Sequence, residues 1–194
     1  MASLGKTLGI HFLRLAMVFL SLTVLAEEDP IAEDTLKAVY SFKFAMFADW
    51  PDSKLSNNAT TLGFCIVGKN PFGRSALEAI EGKQVKEKSL RIEFFESGLL
   101  PDDALNDCHI LFVSQSETIR LRNILKSLRH RPILTISDIE GFSSQSGMIT
   151  LIKSDDRIQF EINLSAIKRA GLSLSSKIIE LATLVKDSEF KSDQ

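Results

Sequence analysis

Residues 108–113 read CHILFV, apolar at every position but one, and this stretch decides the fold. Six residues is strand length, and a strand that is apolar throughout is buried on both faces. Two other runs share the character, 62–67 (LGFCIV) and 132–136 (PILTI). Strands covered above and below need helices on both sides, which selects a layered α/β domain.

The flanks of 108–113 agree. Upstream, 97–107 is a loop with the acidic turn PDDALND, and 89–96 alternates Ile92 and Phe94 with Arg91 and Glu93, as a half-exposed strand does. The turn GKNPFG (68–73) precedes a short helix over 75–80. Downstream, Ser114 and Glu117 have the spacing of a capping box. The helix they open carries Leu121, Ile124, Leu125 and Leu128 on one face, with Arg120, Arg122, Lys126 and Arg129 on the remainder. After the loop SDIEGFSSQSG (137–147), strands at 148–152 and 157–162 flank SDD and read as an antiparallel hairpin at a sheet edge. Leu174, Ile178, Leu181, Ala182 and Val185 recur at helical steps and predict a closing helix. At the other end, Leu36, Tyr40, Phe44 and Phe47 predict a helix over 31–49, stopped at Trp50-Pro51 because a residue before proline disfavours helical dihedrals. The expected architecture is a three-layer α/β/α domain with a mixed sheet and a C-terminal β-hairpin plus helix.

The chain's start belongs to a different category. Its first 26 residues hold no Asp or Glu, and Lys6, His11 and Arg14 precede the apolar run LAMVFLSLTVLA at 15–26. Val24 and Ala26 occupy the −3 and −1 positions of a cleavage site, so 1–26 reads as a secretory signal peptide. The run is shorter than the roughly 20 apolar residues of a membrane span. This leaves 27–187 as a single domain and 188–194 as a frayed tail, in a protein expected in the periplasm. Its 194 residues are 44% hydrophobic with a net charge of −2. That hydrophobicity excludes disorder as a general state, and the charge argues against a nucleic-acid partner.

Export bears on the two cysteines. Cys65 and Cys108 each sit in an apolar strand, in a compartment that favours pairing. One outcome is a disulfide closing a loop of about 40 residues, worth about 4 kcal/mol by chain entropy. The other is a pair of buried thiols acting as small hydrophobes. No C-x-x-C spacing is present to activate a thiol.

Catalytic patterns fail on inspection. GKNPFGRS (68–75) approaches a phosphate-binding loop between strand and helix, but Arg74 replaces the lysine and Pro71 removes an amide. Cys108 and His109 are adjacent, and neighbouring strand residues point to opposite faces. Only His109 and His130 remain after cleavage, too few for a three-histidine metal site. The pairs Asp102-Asp103 and Asp155-Asp156 read as solvated turns. No catalytic group, metal site or cofactor is expected. The helix at 31–49 has aromatics on two sides, because Phe42 lies about 200° from Tyr40 and Phe44. Such a helix is sandwiched in a core or offered to a partner. Phe142, between Gly141 and a serine-rich run, lies in either a recognition loop or an ordinary connection. Phe42, Trp50 and Phe142 are the candidate partner-binding residues.

These pieces line up in order. Trp50-Pro51 after aromatics, Phe64-Cys65-x-x-Gly68 with Pro71-Phe72-Gly73, and Cys108-His109-x-Leu111-Phe112 come first. Leu134-Thr135-x-Ser137-Asp138 with Gly141-Phe142, then Gly147-Met148-Ile149, follow. Phe160-Glu161-Ile162-Asn163-Leu164, Gly171-Leu172 and Ser175-Ser176 through Leu181-Ala182 complete the series. Over residues 35–186 the chain resembles the YfiR (HmsC-like) family. The resemblance implies a non-enzymatic periplasmic protein, dimeric, that represses a membrane-bound diguanylate cyclase by binding its periplasmic sensor segment. It further implies an OmpA-like outer-membrane lipoprotein that sequesters the repressor, raising cyclic di-GMP and promoting biofilm. Cys65 and Cys108 match one of the family's disulfides. A second pair, near 141–147, is missing here, where Ser143, Ser144 and Ser146 stand, and the family's Gly-Gly at the loop end is Ser146-Gly147. A competing expectation is a small-molecule binding module using the crevice at the carboxyl ends of the strands. A thiol-dependent enzyme is the third.

Overall fold

A computed structural model describes residues 31–55, 60–98, 100–154 and 157–188. The expected signal peptide lies outside the described residues. So do residues 189–194 of the expected tail.

The chain opens with helix α1 (Ile31–Phe47), followed by the two-residue strand β1 (Ala48–Asp49) and by β2 (Thr61–Val67). Helix α2 (Arg74–Ile80), β3 (Gln84–Val85) and β4 (Lys88–Phe95) come next, then the single turn α3 (Ala104–Asp107) and β5 (Cys108–Val113). A 3-10 segment (Gln115–Arg120) leads into α4 (Leu121–Leu128) and β6 (Leu134–Ser137). The hairpin β7 (Ile149–Ser154) and β8 (Arg157–Ile162) precedes α5 (Leu164–Arg169), β9 (Ser173–Leu174), α6 (Ser176–Ile179) and β10 (Thr183–Leu184).

Eight of these strands form one mixed sheet in the order β10-β8-β7-β6-β5-β2-β4-β3. The pairs β4-β2, β2-β5, β5-β6 and β6-β7 are parallel, and β7-β8 is antiparallel over six residue pairs. The three apolar runs occupy the interior of the sheet, as their lack of a polar face requires.

Alternate side chains of the central strands feed two cores. Leu62, Phe64, Ile66, Ile110, Phe112, Leu134 and Ile136 join the larger, with α1, α2 and α5. Cys65, Val67, Leu111 and Val113 join the smaller, beneath Leu121, Ile124, Leu125 and Leu128 of α4. Burying those four α4 side chains contributes roughly 1.5–3 kcal/mol each. Helices on both faces give the expected three layers.

Helix α1 departs in detail from its sequence pattern. Its fully buried seam is Ala38, Ser41 and Ala45, continued by Ala48 of β1, with Phe44 beside it. The small residues let the helix backbone approach the sheet. Tyr40 and Phe42 flank that seam on opposite sides, each partly buried against the core. The two-sided aromatics are thus the two shoulders of one packed face. Phe44 meets Phe160 of β8 edge-on at 5.0 Å between ring centroids.

The C-terminal expectation is overturned. No continuous helix spans 174–185; the segment is a strand, one helical turn and another strand. Gly171, at φ 73°, ends α5. Ala48 then pairs with Leu174 and Asp49 with Ser173 in an antiparallel ribbon. Apolar residues three and four apart arise here from that zigzag. Only Ile178 is buried, while Leu181 and Leu184 are 73% and 54% exposed. The helix actually present, α5, is capped by Asn163, whose Oδ1 accepts from Ala166 N–H at 2.9 Å. The expected capping box at Ser114 also fails: the Ser114 side chain caps nothing. Glu117 turns inward, fully buried, and pairs with Arg120 at 2.9 Å.

Candidate functional site

Cys65 and Cys108 are joined by a disulfide, with α-carbons 5.9 Å apart. Both are fully buried in the smaller core. Regular alternation would not place them there together. Ile110 and Phe112 face the larger core, and counting back by twos puts Cys108 on that same side, away from Cys65. The register between β2 and β5 shifts at Gly63/Phe64, so that Gly63 pairs with Cys108 and Phe64 with Ile110. His109 is the extra residue of this β-bulge. The bulge reverses the alternation at its position and turns the Cys108 sulfur onto the Cys65 face.

His109 is 5% exposed and serves the bulge. Its Nδ1 lies 3.1 Å from the Gly63 nitrogen and 3.0 Å from the Asp107 carbonyl oxygen; with its proton on Nε2 it accepts the Gly63 N–H, and with a proton on Nδ1 it donates to Asp107. Burial, then the nearby Lys54 charge, lower its pKa. Trp50 Nε1–H donates to the His109 carbonyl at 3.1 Å. Lys54 Nζ donates to the Asn106 carbonyl at 2.6 Å, and burial lowers its pKa to about 8. The arrangement positions backbone; His109 and the bonded Cys108 form no nucleophile–base pair.

At the opposite end of the sheet, the loop after β6 is tied down at several points. Ser137 Oγ donates to the Val113 carbonyl at 2.6 Å and accepts from Ile139 N–H at 3.0 Å. Ser143 hydrogen-bonds through its hydroxyl to Thr150 Oγ1, and its carbonyl accepts from Asn163 Nδ2 at 2.7 Å. The Ser144 carbonyl accepts from Ser188 N–H at 2.8 Å and Ser188 Oγ at 2.7 Å. Asp138 pairs with Lys37 of α1 at 2.9 Å. Hydroxyl groups thus hold this loop, with Ser143 and Thr150 buried beneath it.

The three candidate partner aromatics are far from equivalent. Phe142 is fully buried under its own loop and Trp50 is 6% exposed. Phe42 alone is partly exposed. Met46 of α1 and Phe94 of β4 are 50% and 52% exposed; Phe94 is the outermost position of the alternation seen in 89–96. Among the described residues, no group of three or more His, Cys, Asp or Glu side chains could hold a metal ion. No helix of the described residues is long and apolar enough to cross a membrane.

The disulfide and the bulge at His109 brace the central strands. The YfiR/HmsC-like family model matches residues 34–183, which run from the first turn of α1 to β10. That span covers most of the chain, and the protein belongs to the YfiR/HmsC-like family.

Proposed function

We propose that this protein is a periplasmic repressor of a membrane-bound diguanylate cyclase. It binds the cyclase's periplasmic sensor region and holds the enzyme in its inactive state, a population shift set by differential affinity. The observation that carries this reading is the family match over 34–183. An OmpA-like outer-membrane lipoprotein would compete for the repressor, and the working form would be a homodimer. Phe42 is the candidate contact that reaches the surface; Trp50 is buried in the larger core and Phe142 in the smaller.

Deleting the gene in a strain carrying the cognate cyclase should raise cellular cyclic di-GMP and biofilm, and a plasmid copy should restore both. An unchanged cyclic di-GMP level overturns the proposal.

A further inference from the structure

Strand β4 is covered on one side only. Its inner neighbour β2 runs beside it from Ser89 to Phe95, but its outer neighbour β3 pairs with Lys88 and Ser89 alone. The turn before β3 reaches Leu90 as well: Leu90 N–H donates to the Lys83 carbonyl at 2.8 Å, and the Leu90 carbonyl accepts from Gly82 N–H at 2.9 Å. Odd-numbered residues of β4 turn their backbone groups toward β2, as Ser89 N–H does to the Thr60 carbonyl and the Phe95 carbonyl does to Gly68 N–H. Leu90 turns outward, and by the alternation of a strand so do Ile92 and Phe94. On that outer side the N–H and C=O of Ile92 and Phe94 have no partner among the described residues.

An open edge is a template for another strand, and this one is apolar where it is open. The Phe94 side chain is 52% exposed, and Ile92, on the same face, is partly buried. Charge is divided along the edge. Lys83, Lys88 and Arg91 stand at its start, and Glu93 and Glu96 at its end. A strand of the same make-up running antiparallel meets opposite charge at both ends, and a second copy has that order built in. The register is restricted too. Setting Glu93 opposite Glu93 of the other copy opposes like charges, and it drives Glu96 onto the place beside Leu90 that Lys83 already holds. Setting Phe94 opposite Phe94 avoids both: Glu96 then faces Ile92 of the other copy and comes to lie next to its Lys83.

We propose that two copies of this chain pair antiparallel along β4, about a two-fold axis at Phe94, so that their eight-stranded sheets join into one. Backbone bonds at Ile92 and Phe94 and the Phe94–Phe94 ring pair carry the contact, and the Glu96–Lys83 pairs fix its direction. The same patch meets itself, so the assembly closes at two copies. The seam is short and buries well under the roughly 1,600 Å² of a standard interface, which sets the dissociation constant in the micromolar range. The homodimer itself rests on the repressor reading; the β4 edge gives it an interface.

The test is sedimentation velocity of the mature protein over a concentration series, with the Ile92 and Phe94 amide resonances followed by NMR in the same samples. A monomer–dimer equilibrium is expected, with both amides shifting together as the dimer fills. Phe94→Lys changes a half-exposed side chain and should weaken association about tenfold or more. Glu96→Lys should weaken it about threefold, and adding Lys83→Glu should restore it; a purely local role for Glu96 gives no such rescue. A chain that stays monomeric at high micromolar concentration, a dimer untouched by Phe94→Lys, or species that keep growing beyond two copies would overturn the pairing. Failure of the rescue would overturn its register. None of these measurements reads cyclic di-GMP, so a monomer whose deletion still raises cyclic di-GMP sinks the edge and leaves the repressor standing.

Discussion

Gly63 and Asp107 approach so closely that a β-carbon on Gly63 would stand 2.1 Å from the Asp107 carbonyl oxygen. Both are backbone-bound: Gly63 N–H is held by His109 Nδ1, and Asp107 is the residue before β5. The contact sits on the bulge that turns Cys108 toward Cys65. Neither side can yield without moving a central strand. Gly63→Ala should therefore destabilise the fold by more than about 2 kcal/mol, measured by urea denaturation. It should also leave a fraction of Cys65 and Cys108 unpaired, visible as alkylated thiols by mass spectrometry. Full stability with complete pairing would show that the bulge is dispensable.

The disulfide it permits is sealed in the smaller core. A reductant must wait for the protein to open. The Cys65–Cys108 bond should resist millimolar dithiothreitol in buffer and fall quickly in denaturant, followed by mass shift after alkylation. The bond spans a sequence separation of 43, so the Cys65→Ala, Cys108→Ala double variant should lose about 4 kcal/mol, less any native strain relieved. Rapid reduction of the folded protein would instead mark the bond as accessible and fit for redox switching.

The strands were legible because their chemistry is one-dimensional: CHILFV has no polar face to hide, and β5 begins and ends where that run does. The α4 stripe was equally plain. What pattern could not show was anything set by register. By strict alternation Cys108 faces away from Cys65, and only the bulge at His109 brings them together. In the same way, the apolar spacing of 174–185 fits a helix and a strand–turn–strand alike, and the pairing of Leu174 with Ala48 decides between them. Asn163 itself was a readable cap, three residues ahead of Ala166, that the apolar pattern of β8 overshadowed.

The neutral His109 makes stability depend on pH. Its native pKa lies below the ordinary value of about 6.5, so the unfolded chain binds more protons in the interval between the two. Stability then rises with pH across that interval, and it is lost as pH falls from about 6.5 toward the native pKa. Protonation would also exchange the Gly63 N–H bond at Nδ1 for one to the Asp107 carbonyl, 3.0 Å away. Urea midpoints measured between pH 7.5 and 5 should fall for the parent. His109→Asn keeps a short acceptor near Gly63 without a titrating ring, and its midpoints should fall less. Parallel curves for the two proteins would remove His109 as the cause.

Neighbouring positions at the loop end should respond in opposite ways. Ser146 adopts φ 76°, a left-handed conformation in which a side chain costs about 1–2 kcal/mol relative to glycine. Its hydroxyl recovers part of that through Asp187, whose carboxyl it helps to hold low, behind Arg169 and Asn163 and against burial. Ser146→Gly should thus be neutral or more stable by up to about 1 kcal/mol. Gly147 has the reverse problem. A β-carbon there would stand 2.3 Å from two ring carbons of Phe142 and 2.7 Å from its carbonyl oxygen. Phe142 is fully buried and cannot swing out without emptying the core. Gly147→Ala should cost more than about 2 kcal/mol and loosen the loop. Thermal unfolding of the two variants beside the parent gives the order directly: Ser146→Gly at or above it, Gly147→Ala well below. The opposite order would mean that the Ser146 hydroxyl, and not the seat of Phe142 on Gly147, holds the loop in place.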